Sequence, residues 1–171
     1  MVSRYYHLDS SGEDTNLQLY SLKQAMSYWE QLESDLDQHG DAALNVRERC
    51  VFVLSNLGLS ISQLLGQNNP APSERVPYPR DLVAAFVDKH QLDPEIKNKF
   101  ERFNYFYNGC RHFGLMTTGK GYDRVDQLTV PVARECYESG LELWRTVILV
   151  FREDPESDLD EFNLEYIERE C

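Results

Sequence analysis

The stretch DPEIKNKFERFNYFYNGCRHFG, residues 93–114, decides how this chain folds. Asp93 followed by Pro94 marks a helix start. An aspartate side chain accepts hydrogen bonds from the open N–H groups of a first turn, and a proline at the first helical position forfeits none. Phe100, Phe103 and Phe106 then recur at helical spacing, and Gly114 supplies a stop, so the pattern predicts a helix over 94–112. Its end is chemically dense. Tyr107, Asn108, Cys110, Arg111 and His112 bring together a phenol, an amide, a thiol, a guanidinium and an imidazole. Buried polar groups must find partners, so a polar run at the end of an apolar-faced helix is the best site candidate in the chain.

The same periodicity continues on both sides. Leu22, Ala25, Trp29, Leu32 and Leu36 predict an amphipathic helix over 16–38. After His39-Gly40-Asp41, which reads as a stop and a new N-cap, Leu44, Val51, Leu54, Leu57, Ile61, Leu64 and Leu65 predict a mostly buried helix over 41–66. Residues 67–79 hold four prolines and no periodicity, as a surface loop does. Leu82, Val83, Phe86 and Val87 mark a short helix over 80–90. Gly114, Gly119 and Gly121 break the chain again. Thr129 and Pro131 then open a last helix, whose apolar face runs through Ala133, Tyr137, Leu141, Trp144, Ile148 and Phe151 to about Glu153. No strand and no internal repeat is expected. The fold class is therefore all-α: an antiparallel bundle of four to five helices over 16–153, between an N-terminal segment over 1–15 and an acidic, aromatic tail over 154–171.

Charge narrows the function. Across 171 residues, 17 basic and 29 acidic side chains give a net charge of −12, which disfavours broad attraction to nucleic acid and favours a basic protein partner. The distribution is uneven. Residues 153–171 carry nine acids and one arginine, whereas residues 80–124 carry eight lysines or arginines against six acids, so a small basic pocket for one phosphate fits in the middle of the chain. The tail, with Leu159, Phe162, Tyr166 and Ile167 among its acids, reads either as a helix packing back on the bundle or as a peptide that docks on a partner. Cys50, Cys110, Cys136 and Cys171 form no CxxC pair and no cluster with histidine, so neither zinc nor a disulfide framework is expected, and no cofactor is implied. Reduced thiols, no signal-peptide pattern and no apolar run near the roughly 20 residues of a membrane span predict a cytoplasmic protein.

Motif searches exclude several chemistries. No serine or cysteine sits in a nucleophile elbow, and no glycine pattern matches a dinucleotide or P-loop fingerprint; Thr117-Thr118-Gly119-Lys120-Gly121 reads as a linker. With helices placed around the polar cluster, the chain resembles the HEPN superfamily, helical domains found in ribonucleases of toxin–antitoxin and antiviral systems. Members typically carry an arginine, often followed by asparagine, and a histidine four to six residues on, at a helix junction. Here Asn108 and His112 stand at the matching spacing, while Tyr107 occupies the arginine position and Arg111 offers a positive charge from a different backbone position.

The resemblance implies a metal-independent endoribonuclease of a bacterial defence or toxin–antitoxin system, or a degenerate version that only binds RNA or a nucleotide. Catalysis would fall to His112, Arg111 and Asn108, with Arg102, Tyr107 and Arg47 as candidate substrate-binding residues. The histidine would act on the ribose 2′-hydroxyl while a guanidinium steadies the phosphate. It further implies a homodimer whose two motifs share one cleft. The same residues also fit a structural role, in which Asn108 and His112 bond the open carbonyls of a helix end and Arg111 complements its dipole. The alternative function, from charge alone, is a non-enzymatic acidic adaptor, inhibitor or immunity protein that neutralises a basic partner.

Overall fold

The computed structural model describes residues 6–8, 14–68, 79–111 and 124–153. Five long helices make the bundle: α1 (Leu17–His39), α2 (Val46–Asn68), α3 (Pro79–Lys89), α4 (Glu95–Arg111) and α5 (Val130–Glu153). The fold is thus the helical bundle that the periodicity predicts, with helix boundaries mostly within a residue or two of expectation. The acidic tail, the 69–78 loop, the 112–123 connection and His112 lie outside the described residues.

Three expectations need correction. Ahead of α1, Tyr6–Leu8 (β1) and Asp14–Asn16 (β2) pair antiparallel with Tyr6 opposite Asn16, a minimal ribbon where no strand was expected. Three residues per strand are too few to show the alternating pattern by which strands are recognised. The second helix starts at Val46 rather than at residue 41. Gly40 and Asn45 both take left-handed backbone (φ 54° each), so the chain makes a short 3₁₀ turn over Gly40–Ala42 and enters α2 only after Asn45, whose carbonyl accepts from Arg49 N–H at 3.0 Å. Leu44 consequently belongs to the connection and stands 78% exposed instead of joining the core.

The other ends follow their signals. Asp93 Oδ1 accepts from the Glu95 N–H at 2.9 Å, the cap that Asp93-Pro94 promised. Thr129 O accepts from Ala133 N–H at 2.8 Å, opening α5 one residue before Pro131 reaches its place in the first turn.

Helix α2 is the centre. It packs against α1, α3, α4 and α5, and its only charged residues are Arg47, Glu48 and Arg49 in its first turn. Ion pairs and ring contacts fix the neighbours' directions. Arg49 meets Asp35 and Tyr28 meets Phe52 (ring centroids 4.3 Å apart), so α1 and α2 run antiparallel. Lys97–Asp88 and Arg80–Glu101 set α3 against α4, and Lys99–Glu142 and Arg102–Glu135 set α4 against α5. Within the core, Trp144 Nε1–H donates to Ser60 Oγ at 2.8 Å, satisfying a buried indole.

Two glycines let helices approach closely. A Cβ at Gly58 on α2 would overlap the Tyr107 ring of α4, and one at Gly140 on α5 would stand 2.6 Å from Leu57 Cδ2 and 2.9 Å from Phe103 Cε2. Tyr107 itself is stacked on Phe103 with ring centroids 6.0 Å apart. Gly58→Ala is therefore expected to cost about 1–3 kcal/mol by overpacking, read as a lower urea midpoint. An unchanged midpoint would show that α4 can stand off from α2 without loss.

Candidate functional site

Along α4 the residues Glu101, Asn104, Asn108 and Arg111 follow one another at intervals of three, four and three. That spacing lays them in one stripe down a single helical flank, about 15 Å from end to end. The buried face of the same helix, Phe100, Phe103, Tyr107 and Cys110, lies beside it. The stripe therefore borders the core, and Asn104 within it is itself buried.

The first three members of the stripe open on a cleft of about 420 Å³ between α3 and α4. Arg80 and Asp81 in the first turn of α3 form one wall, and Glu101, Asn104, Tyr105 and Asn108 form the other. Arg124, from a short helical turn over 124–126 before α5, closes one side. Its guanidinium carbon sits 4.5 Å from the Tyr105 ring centroid and its Nη1–H donates to the Tyr105 carbonyl at 3.3 Å, a cation–π contact at the rim. Arg80 Nε is 2.9 Å from Glu101 Oε1. With two guanidinium groups and two carboxylates, the cleft is formally neutral, and its volume lies in the roughly 300–1,000 Å³ range of small-ligand sites.

Asn104 is the unusual member. It is only 9% exposed, and its Oδ1 is buried with no hydrogen-bond partner. An unsatisfied buried acceptor costs about 1–3 kcal/mol. Nothing pins the amide by that oxygen, and its terminal torsion is a soft one.

The sequence-predicted residues divide. Asn108 lines the cleft. Arg111 is exposed, one turn further along the stripe, with Cζ 5.8 Å above the Tyr107 ring, and His112 is the next residue in the chain but lies outside the described residues. The other three do not converge there. Tyr107 is 4% exposed, its ring packed against Gly58, so it is a core residue rather than a surface that meets substrate. Arg102 points to the opposite flank, where it pairs with Glu135 at 2.7 Å beside a smaller groove between α4 and α5. Arg47 pairs with Asp126 at 3.1 Å and does not line the cleft. Glu101, Asn104, Arg80 and Arg124 were not singled out from sequence. The three-four-three spacing on α4 was the available signal for the first two, whereas Arg80 and Arg124 reach the site only through tertiary packing.

Cys110 belongs to the polar run yet is no nucleophile. Burial is the main cause that pushes its thiol up to about 12, with Cys136 and Cys50 adding to the rise; burial likewise lifts Cys136 to about 12 and Cys50 to about 11. Among the described residues no histidine, cysteine or carboxylate cluster could hold a metal ion, and no helix is long and apolar enough to cross a membrane. Comparison with known proteins adds no constraint: no protein-family model, no curated protein and no solved structure matches this chain.

The thiols give a direct check. In native protein at pH 8, Cys50, Cys110 and Cys136 should resist alkylation and become reactive only on unfolding, read by mass spectrometry of labelled peptides; rapid native labelling of Cys110 would place it at an open surface. Because these thiols titrate higher folded than unfolded, their stability contribution is complete below the unfolded thiol pKa and is lost as pH rises toward 11–12. Cys110→Ala should flatten the alkaline fall in stability relative to wild type, as followed by urea midpoints between pH 8 and 11.

Proposed function

We propose that this chain is an HEPN-like helical domain that binds RNA at the end of α4 and cleaves it without a metal, within a bacterial defence or toxin–antitoxin system. The observation that carries the reading is the placement of Asn108: the amide at the motif position faces an open polar cleft, on a stripe that leads in one turn to Arg111 and then, in sequence, to His112. In this reading Arg111 and Arg124 hold the phosphodiester, Asn108 orients the ribose, and His112 takes the 2′-hydroxyl proton as the 2′-oxygen bonds to phosphorus and the P–O5′ bond breaks; the imidazolium then gives that proton to the departing 5′-oxygen, leaving a 2′,3′-cyclic phosphate and a free 5′-hydroxyl. Two copies placed about a two-fold axis would present their motifs to one RNA. General acid–base groups typically contribute a factor of about 10² to 10⁴. His112→Ala is therefore expected to reduce cleavage of a fluorescent RNA by at least about a hundredfold with folding intact, and a variant that still cleaves at the wild-type rate overturns the assignment.

A second reading rests on a different observation. Arg47, Arg49, Arg80, Lys97, Lys99, Arg102 and Arg134 each pair with a carboxylate of the chain itself, which leaves the acidic excess uncompensated. Such a surface suits a non-enzymatic acidic adaptor, inhibitor or immunity protein for a basic partner. Its association rate should fall by about tenfold or more between roughly 0.05 and 0.5 M salt, as steered encounters do; a salt-independent rate would count against it.

A further inference from the structure

We infer that the outer face shared by α1 and α2 is the contact surface for a second copy of this chain. This goes beyond the RNA reading and uses none of its chemistry, since no residue of α1 or α2 lines the α3–α4 cleft.

The inference starts from where charge is missing. In a chain with 27% charged residues and a net charge of −12, α2 carries none after Arg49, yet one side of it is open to solvent. Phe52, Asn56, Leu59 and Gln63 fall within roughly 60° of one another around that helix, and Phe52 and Leu59 stand exposed. The neighbouring flank of α1 is of the same kind. Tyr28 meets Phe52 there with ring centroids 4.3 Å apart, and Tyr20, Gln24, Ser27 and Gln31 lie on the same side, whereas Lys23, Glu30, Glu33 and Asp37 fall on the other. Because the helices run antiparallel, Leu59 and Tyr20 both lie about two turns from the Tyr28–Phe52 contact in the same direction along the bundle. Three of the six large apolar side chains exposed among the described residues, Tyr20, Phe52 and Leu59, therefore gather on one face, with the Arg49–Asp35 ion pair at its end.

Covering this face costs little in polar groups. Asn56 Nδ2–H already donates to the Phe52 carbonyl at 2.9 Å, and Gln31 Nε2–H donates to Ser27 Oγ at 3.2 Å. These amides take part of their hydrogen bonding from their own helix and lose less on leaving water.

Charge and symmetry together name the occupant. A basic partner is steered toward acid and gains nothing from a face without charge, whereas two chains of net charge −12 meet with least repulsion where charge is missing. The face also matches itself. A two-fold axis perpendicular to α2 near Asn56 brings Phe52 of one protomer against Leu59 of its partner, and the same operation forms the reciprocal pair, as an isologous contact requires. The face is about 17 Å long and two helices, roughly 20 Å, across. That is toward the low end of protein interfaces, so the dimer depends on concentration, with a Kd of about 1–100 µM.

The test is sedimentation velocity of the full chain from about 1 to about 500 µM, at about 0.05 and about 0.5 M salt. It is run on wild type, on Leu59→Asp and, as a control at an exposed apolar side chain of α5, on Leu149→Asp. Wild type should form dimers whose Kd falls about threefold or more at the higher salt, because screening relieves like-charge repulsion; a steered acidic–basic encounter responds in the opposite sense. Leu59→Asp should weaken dimerisation by at least about tenfold, since the two-fold axis places each substitution in the contact twice, and Leu149→Asp should leave it unchanged. Both side chains are exposed, so both variants should melt close to wild type, which separates a lost contact from a lost fold. A second readout is photocrosslinking of Phe52→p-benzoylphenylalanine. A crosslink to α2 of a second copy supports the contact, whereas one to residues 154–171 of the same chain gives the face to the tail and overturns the inference. A chain that stays monomeric at about 500 µM, a dimer that weakens as salt rises, or a folded Leu59→Asp that dimerises like wild type overturns it as well.

Discussion

The close contact of α2 with α4, where Gly58 meets the face of Tyr107, sets the geometry on which the rest of the molecule depends. A side chain at that position would push α4 outward by the width of a methyl group. With only a hydrogen there, Tyr107 lies against the α2 backbone while Phe103 packs beside Leu57 and Gly140. These contacts fix how α4 is rotated about its own axis. Since Tyr107 must point inward, Asn104 and Asn108 on the neighbouring flank must point toward α3, and the polar stripe becomes one wall of a cleft. The Tyr107 ring thus shapes the cleft indirectly, by orienting the helix that forms one of its walls.

Electrostatics adds a second constraint. Most of the described basic residues are held by carboxylates on neighbouring helices, in pairs largely exposed to solvent and individually weak. Their joint effect is on register and on availability. Arg102 tied to Glu135 and Arg47 tied to Asp126 are not positioned for a ligand, whereas Arg124, engaged only by a ring and a carbonyl, keeps guanidinium N–H groups for one. A protein with a net charge of −12 can in this way keep a locally neutral cleft. An anion entering it meets less repulsion than the total charge suggests, because exposed charges more than about 10 Å away are screened at ordinary salt.

Much of the fold was legible before any coordinate. Helix positions followed from apolar spacing, and two starts followed from Asp93-Pro94 and Thr129. The second helix began late because left-handed backbone at Gly40 and Asn45 is a property of the connection that a run of apolar residues does not reveal. The site was legible only in part. Asn108 and Arg111 stood out because the end of α4 is polar, but Asn104 was hidden among aromatic neighbours, and its unsatisfied oxygen is visible only when every nearby donor has a position. Tyr107, Arg102 and Arg47 were candidates by residue type, and type does not say which way a side chain points.

By itself the sequence determined the helices, their apolar faces, the excess of acid and the polar character of the end of α4, since each is a matter of which residue follows which at short range. Only the tertiary structure decided that Arg80 from α3 and Arg124 from the turn before α5 meet Asn104 and Asn108 across one cleft, and that Arg47 and Arg102 are spent on carboxylates elsewhere. The physical reason is that these groups are brought together by how far and at what rotation α3, α4 and α5 settle on α2. Those quantities are set by close packing at Gly58 and Gly140, between residues far apart in the chain.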